Sequence, residues 1–248
     1  MSNIDTQAAF AAPDLETPGA KVPYGALLAV YHGVEVLNMP HFTPRMRGRL
    51  REGGYEGKEV ACGLKAIPRG ARLLEMGAGS GVVGAVLAKN LDLAAVLSIE
   101  ANPKMIDPAR ALYAHNGLAD RIELRHSVVF SAPDAPEHVS FHVATNFLGS
   151  GLDASKAAAG TAVEVPVIRY ADLSAEFPHD AIMMDIEGGE LPFLRDADLS
   201  GVSVLVFEVH RKIYGREGMR EIRHILRDKG FEQDEENSLP GVHIYRKG

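Results

Sequence analysis

Arg72-Leu-Leu-Glu75-Met-Gly77-Ala78-Gly79-Ser80-Gly81-Val82-Val83-Gly84-Ala-Val86-Leu87 is the stretch that decides the fold. A short apolar run, Arg72 to Met76, leads into a glycine-rich turn, and Val82, Val83, Val86 and Leu87 then recur at helical spacing as far as Lys89 and Asn90. That is strand, turn, helix. In this context glycines let a ligand approach the backbone N–H groups at a helix N-terminus. Leu93 to Ile99 reads as a second buried strand. Asn102 and Pro103 then read as the cap and first residue of a helix that stops at Gly117, and Pro108 should kink it. Arg121 to Arg125 completes βαβαβ, in which right-handed crossovers place every strand's carboxyl end on one edge.

Beyond the third strand the rhythm changes. Val139, Phe141 and Val143 alternate with His138, Ser140 and His142, the period of a half-exposed antiparallel strand, and Val163 to Ile168 is a second extended run. Together they predict a hairpin-like insertion at about 130–168, lying over the sheet's ligand edge. Strand periodicity also sets His138 and His142 about 13 Å apart, too far for a shared zinc. The α/β alternation then resumes. Ala181 to Ile186 and Val202 to Val209 read as strands, Gly218 to Lys229 as a helix with an apolar face of Met219, Ile222, Ile225 and Leu226, and Val242 to Tyr245 as a short last strand. The expected fold is α/β: one doubly wound, mostly parallel sheet with an antiparallel C-terminal strand, spanning 59–248. Ahead of it, 21–58 is expected as a helical cover, with a helix around Arg45 to Glu52, and 1–20 as a mobile segment.

Composition narrows the partners. The 248 residues are 46% apolar and 24% charged, as in an ordinary globular chain. Acids exceed bases by 33 to 26, a net charge of −7, without the basic footprint that a nucleic-acid backbone requires. The longest apolar run, Val22 to Val34, is broken by Pro23, Gly25 and His32 and falls short of the roughly 20 residues of a membrane span. An acid-bearing N-terminus without a long apolar core does not read as an export signal, and the expectation is a cytoplasmic protein. Cys62, the single cysteine, has no disulfide partner and is read as a small buried side chain.

The chemistry concentrates at strand ends. Glu75, Gly77, Ala78, Gly79, Ser80 and Gly81 form the turn, and Glu100, followed by Ala101, lies 19 residues beyond Gly81, where a carboxylate accepts both hydroxyls of a ribose. Gly79, Gly81 and Gly84 also satisfy the dinucleotide pattern G-x-G-x-x-G. However, Glu75 would repel a pyrophosphate, and one sheet domain leaves no separate domain for a hydride acceptor. S-adenosylmethionine, with its ribose, amino group and sulfonium, fits both carboxylates better; S-adenosylhomocysteine is then the product. A nicotinamide-dependent oxidoreductase stays as the alternative. Asp185 ends a central strand and should project into the crevice, with Glu187 on the turn after it. Glu208 and His210, two apart at the next strand end, share a face where they could hold a hydroxyl and take its proton. For Glu190, an acid in a first helical turn has a structural reading through the helix dipole. Asp185, Glu208 and His210 as ligands of a divalent ion form a further reading, not favoured here.

The glycine turn and Glu100 resemble the class I S-adenosylmethionine-dependent methyltransferases. Met183-Met-Asp185-Ile-Glu187-Gly188-Gly-Glu190, followed by Phe207-Glu208-Val-His210, is similar to the FkbM family, whose members show K-x-D-V-E-G-x-E and then E-x-H. Tyr55-Glu56, Asn116 and an insertion at Phe141 to Leu152 support it, and the similarity covers about residues 50–235. Met183 departs from the pattern, since it stands where the family usually has lysine; its loss of a cation suggests, as one alternative, a binding protein without turnover. The resemblance implies an O-methyltransferase acting on a small-molecule hydroxyl acceptor such as a sugar, with Asp185 or His210 removing the proton.

Overall fold

A computed structural model describes residues 22–143 and 161–248. The first of these residues form a hairpin, β1 (Leu27–Tyr31) and β2 (Val34–Leu37), followed by α1 (Pro44–Arg51) and α2 (Gly57–Ala66). The cover expected over 21–58 is therefore helical only from Pro44. His32 and Gly33 both take positive φ, +47° and +77°, which is the backbone of a two-residue hairpin turn and cannot continue a helix. The helix anticipated near Arg45 does form, because Thr43 accepts from the Met46 N–H at 3.2 Å and Pro44 opens the first turn. Leu28, Tyr31, Val34 and Val36 are buried with residues of the main sheet and its helices, so the hairpin shares their core.

The alternating region supplies β3 (Arg72–Met76), α3 (Val82–Leu91), β4 (Ala95–Glu100), α4 (Pro103–His115), β5 (Ile122–His126) and β6 (Val128–Phe130). α4 runs as one helix through Pro108. The insertion forms β7 (His138–Val143) and β8 (Thr161–Arg169), paired antiparallel from His138↔Pro166 to Val143↔Thr161, with β6 parallel on the other side of β8. Residues 1–21, expected mobile over most of their length, and the insertion's 144–160 lie outside the described residues. The rest comprises α5 (Tyr170–Glu176), β9 (Ala181–Met184), α6 (Glu190–Asp196), β10 (Val204–Glu208), α7 (Arg211–Asp228), β11 (Phe231–Gln233) and β12 (Val242–Lys247). α7 starts earlier than periodicity indicated, because Gly215 (φ +62°) joins an extra turn to the regular helix that follows it.

The seven-stranded sheet has the order β11-β12-β10-β9-β3-β4-β5. β12 runs antiparallel to both β10 and β11, while β5, β4, β3, β9 and β10 are mutually parallel. Strand alternation splits the core into two layers. Leu73 packs on the side of α2, α3 and α4, and its neighbour Leu74 on the side of α5, α6 and α7. The chain builds outward from β3 to β5, then returns to build β9 and β10 on the other side. Where it reverses, the ends of β3 and β9 lie side by side, and a crevice opens there. Among the described residues no helix is long and apolar enough to cross a membrane.

Candidate active site

The crevice is a cleft of about 1180 Å³, larger than the roughly 300–1,000 Å³ of a site for one small ligand. One half is the glycine turn. Gly77, Gly79 and Gly81 all have positive φ (+86°, +53°, +77°), a conformation that L side chains rarely adopt. A Cβ on Gly77 would overlap the backbone carbonyl of Asp185, and one on Gly81 would come within 2.8 Å of the Tyr113 hydroxyl. The turn is tied to the next strand by Glu100: Oε2 accepts from the Gly79 N–H and Oε1 from the Asn102 N–H, both at 2.6 Å. Burial pushes this carboxyl up, and those N–H donors pull it back toward the ionised form. Ala78, Ser80 and Ala101 complete the lining, and Tyr55 from the N-terminal segment bonds Ser80 Oγ at 3.1 Å.

Glu75 takes a different position from the one its place in the turn suggested. Like Leu73 it faces the α3 side of the sheet, and its carboxylate accepts from Ser98 Oγ at 2.5 Å and from the Gly84 N–H. It reaches the cleft floor with 2% exposure, so its oxygens are committed to joining β3, β4 and α3 rather than free for a ligand's amino group. Burial pushes the carboxyl up to about 7 despite those donors.

The other half is acidic and gathers at the ends of β9 and β10. His210 Nε2 lies 3.4 Å from Glu187 Oε2, 3.7 Å from Asp185 Oδ1 and 3.9 Å from Glu208 Oε2, while Nδ1 lies 3.2 Å from Glu190 Oε1. Four carboxylates thus surround one imidazole. Glu187 and Glu190 foremost push His210 up to about 10. Asp185 is raised too: burial and the neighbouring Glu208 and Glu187 lift its carboxyl well above the carboxylate range, against the lowering effect of His210. Glu208 is raised as well, by burial first. The surrounding carboxylates favour the protonated form of the ring, which counts against His210 as the group that takes a proton from the acceptor.

Glu190 holds the turn together. It is fully buried at the start of α6, accepts from the Ile186 N–H and the Gly188 N–H, each at 3.1 Å, and pairs closely with the Tyr214 hydroxyl. Burial pushes its carboxyl up, but His210 and Tyr214 outweigh that and hold it below its usual range. Three groups at the site had no site role in the sequence reading, although Glu56 was noted there for the family resemblance. Glu56, at the left-handed start of α2, lines the cleft, and burial with Glu59 and Glu208 pushes it up to about 7. Ser127 is buried beside Glu100 with a hydroxyl lacking a partner. Tyr214 lies 24 residues from the carboxylate it binds. A hydroxyl just after β5, at the ligand edge, was a usable signal for Ser127; the other two depend on long-range contact. Met183 is buried in register with Glu75 and lines the cleft, where a lysine would have put a cation.

Comparison with known proteins identifies the family. No curated protein matches the chain. Among solved structures, a protein in the NADB-Rossmann superfamily from Streptococcus agalactiae is 18% identical, with a TM-score of 0.47 over 77% of this chain and 68% of that one. A putative transferase from Pyrococcus horikoshii is 16% identical, TM-score 0.48, over 88% and 68%. The TYW2 protein of Pyrococcus horikoshii in complex with MeSAdo is 15% identical, TM-score 0.47, over 86% and 66%. A methyltransferase FkbM domain matches residues 75–232, from the glycine turn through the acidic cluster to the last helix, which is well over half of the sequence. The chain belongs to the FkbM family and is an S-adenosylmethionine-dependent methyltransferase.

Proposed function

We propose that this enzyme moves the sulfonium methyl of S-adenosylmethionine to a hydroxyl oxygen of a small metabolite, a sugar being the favoured class. The observation that carries the reading is the adjacency of the two halves: β3 and β9 are paired so closely that Gly77 has no room for a side chain against Asp185. A nucleoside on the turn therefore has the acidic half as its immediate neighbour, in a cleft with space for a second small molecule. Gly77 to Gly81 and Glu100 fit the nucleoside, and the unpartnered Ser127 hydroxyl has bonding capacity in the same half.

The cofactor supplies a carbon that is already activated, so the protein's share is alignment, exclusion of water and removal of a proton. Asp185, whose carboxyl burial raises above its usual range, takes the hydroxyl proton as the methyl passes from sulfur to oxygen, so the carboxylate's negative charge and the sulfonium's positive charge are discharged together. Incubation with methyl-labelled cofactor and fractionated extract of the host, followed by identification of the labelled product, tests the reading. Label on an ether oxygen is expected. Label on nitrogen or carbon, or tight cofactor binding without turnover on any fraction, would overturn it.

A further inference from the structure

We infer that the acceptor carries an oxyanion, a phosphate or a carboxylate, and that Arg45 and Arg49 of α1 hold it. The inference rests on the reading that the cleft takes a small acceptor beside the cofactor. Among the described residues four cations line the cleft. Two are committed: Arg195 is held by Glu221 at 2.7 and 3.1 Å, and Lys58 donates to the Pro240 carbonyl at 2.7 Å. Arg45 makes no hydrogen bond or ion pair with a described residue, and Arg49 uses only Nε, on the Gly54 carbonyl at 3.0 Å. The terminal nitrogens of both guanidiniums stay available, and these grip a phosphate or carboxylate through paired hydrogen bonds.

Helix stability does not account for these charges. Arg45 lies in the first turn of α1, where a cation opposes the helix dipole. Four of the helix's eight residues are arginine and none is acidic, in a chain whose net charge is −7. One turn apart, Arg45 and Arg49 share a face, while Met46 and Leu50 are buried and anchor the helix. Just ahead of α1, the Phe42 ring meets Tyr55 at 5.7 Å, and Tyr55 bonds Ser80 of the glycine turn, so the arginines are placed relative to the cofactor. The acidic half lies within electrostatic reach of them through Glu56: burial first, then Glu59, Glu208 and Glu187, raise its carboxyl, and Arg49 pulls it down. A small molecule lying along this wall has its hydroxyl at Asp185 and its anion at the arginines. Reversed, its anion would meet the four carboxylates around His210. The cleft's polarity thus selects which end of the acceptor reaches the methyl.

Inorganic phosphate and acetate, titrated separately into the full chain with and without saturating adenosylhomocysteine and followed by phosphorus and proton resonance line broadening, test this. Saturable binding of at least one anion is expected with the cofactor half filled, and the tighter of the two names the group. Replacing both arginines, Arg45→Gln with Arg49→Gln, removes exposed side chains and leaves the buried face of α1 intact. It should weaken that binding about tenfold or more, the scale of lost hydrogen bonds to a charged group. Arg51→Gln, exposed on the same helix outside the cleft lining, should leave it unchanged. In the labelled-methyl assay the product should be retained by an anion exchanger, and the double variant should raise the acceptor's KM more than it lowers kcat. The inference is overturned if neither anion saturates, or if the double variant binds as the wild type does. It is overturned equally if adenosylhomocysteine displaces the anion, which would give the arginines to the cofactor's carboxylate, or if the labelled product is nuclease-sensitive. A neutral product labelled on an ether oxygen refutes the inference and keeps the O-methyl reading, whereas an anionic product labelled on nitrogen does the reverse.

Discussion

Two carboxylate groupings face each other across one cleft, and the scaffold treats them differently. Around the glycine turn, Glu100 and Glu75 are each held by donors that the fold itself supplies: the N–H groups of Gly79, Asn102 and Gly84 and the Ser98 hydroxyl. Around His210, four carboxylates share one ring, and Asp185 Oδ1 has no donor. The first half is preorganised, its charges spent on geometry. The second holds charge in reserve, so its chemistry depends on what enters.

Three substitutions test that division, beginning with the wall between the halves. Gly77→Ala places a Cβ into the Asp185 carbonyl at a φ of +86°, so the strand ends must separate. A loss of about 3 kcal/mol or more is expected, a drop in Tm of roughly 6 °C or more for a chain of this size, together with loss of measurable adenosylhomocysteine binding. A wild-type Tm with intact binding would show the two halves to be independent. Asp185→Ala should lower the methyl-transfer rate by about 10²-fold or more while cofactor affinity, read by calorimetry, changes little. An equal fall in affinity would place Asp185 in the first half instead. Glu100→Ala should do the converse, weakening adenosylhomocysteine by about 1.5–3 kcal/mol, the scale of hydrogen bonds to a charged group. Unchanged affinity in a folded variant would remove Glu100 from the site.

The same division governs what the sequence could reveal. The turn was legible because its signal is local: a short apolar run in Arg72 to Met76, glycines, then helical spacing from Val82. The β7–β8 hairpin was legible for the same reason, from the alternation of Val139, Phe141 and Val143. The β1–β2 hairpin was missed although His32-Gly33 is a usable turn signal, because the surrounding apolar run invited a test of length rather than of period. The turn's position did not show which face Glu75 points to, and alternation from Leu73 was the missing step. For the acidic half the motif named Asp185, Glu187, Glu208 and His210, yet the protonation of His210 follows from distances to four carboxylates on separate segments. Spacing along the chain carries no such distances.

The smallest expected effects lie in the pH dependence of stability, followed through one group of each half, with Glu56 sharing the lower window and so leaving part of its fall in place. Glu75 is raised in the fold to about 7 from an ordinary 4.5. Between those values the folded protein keeps a proton that the unfolded chain releases, so the stability Glu75 contributes is complete below pH 4.5 and lost as pH rises through 7. At about 1.4 kcal/mol per pH unit the loss is about 1–3 kcal/mol. His210, raised from 6.5 to about 10, obeys the same sign in a higher window: its contribution is complete below pH 6.5 and lost as pH rises through 10. Solvent reaches that ring more freely than it reaches Glu75, which screens the effect to about 1 kcal/mol. Melting curves from pH 4.5 to 10 resolve the two. Glu75→Gln should flatten the fall of Tm below pH 7 and leave the upper limb, whereas His210→Gln should flatten only the upper limb. If Glu75→Gln changes nothing below pH 7, its carboxyl titrates as an exposed acid does, and the first half is not the closed structure that its hydrogen bonds describe. If His210→Gln removes the fall in both windows, the two halves titrate as one unit, and the separation between a settled cofactor side and an unsettled acceptor side fails on electrostatic grounds.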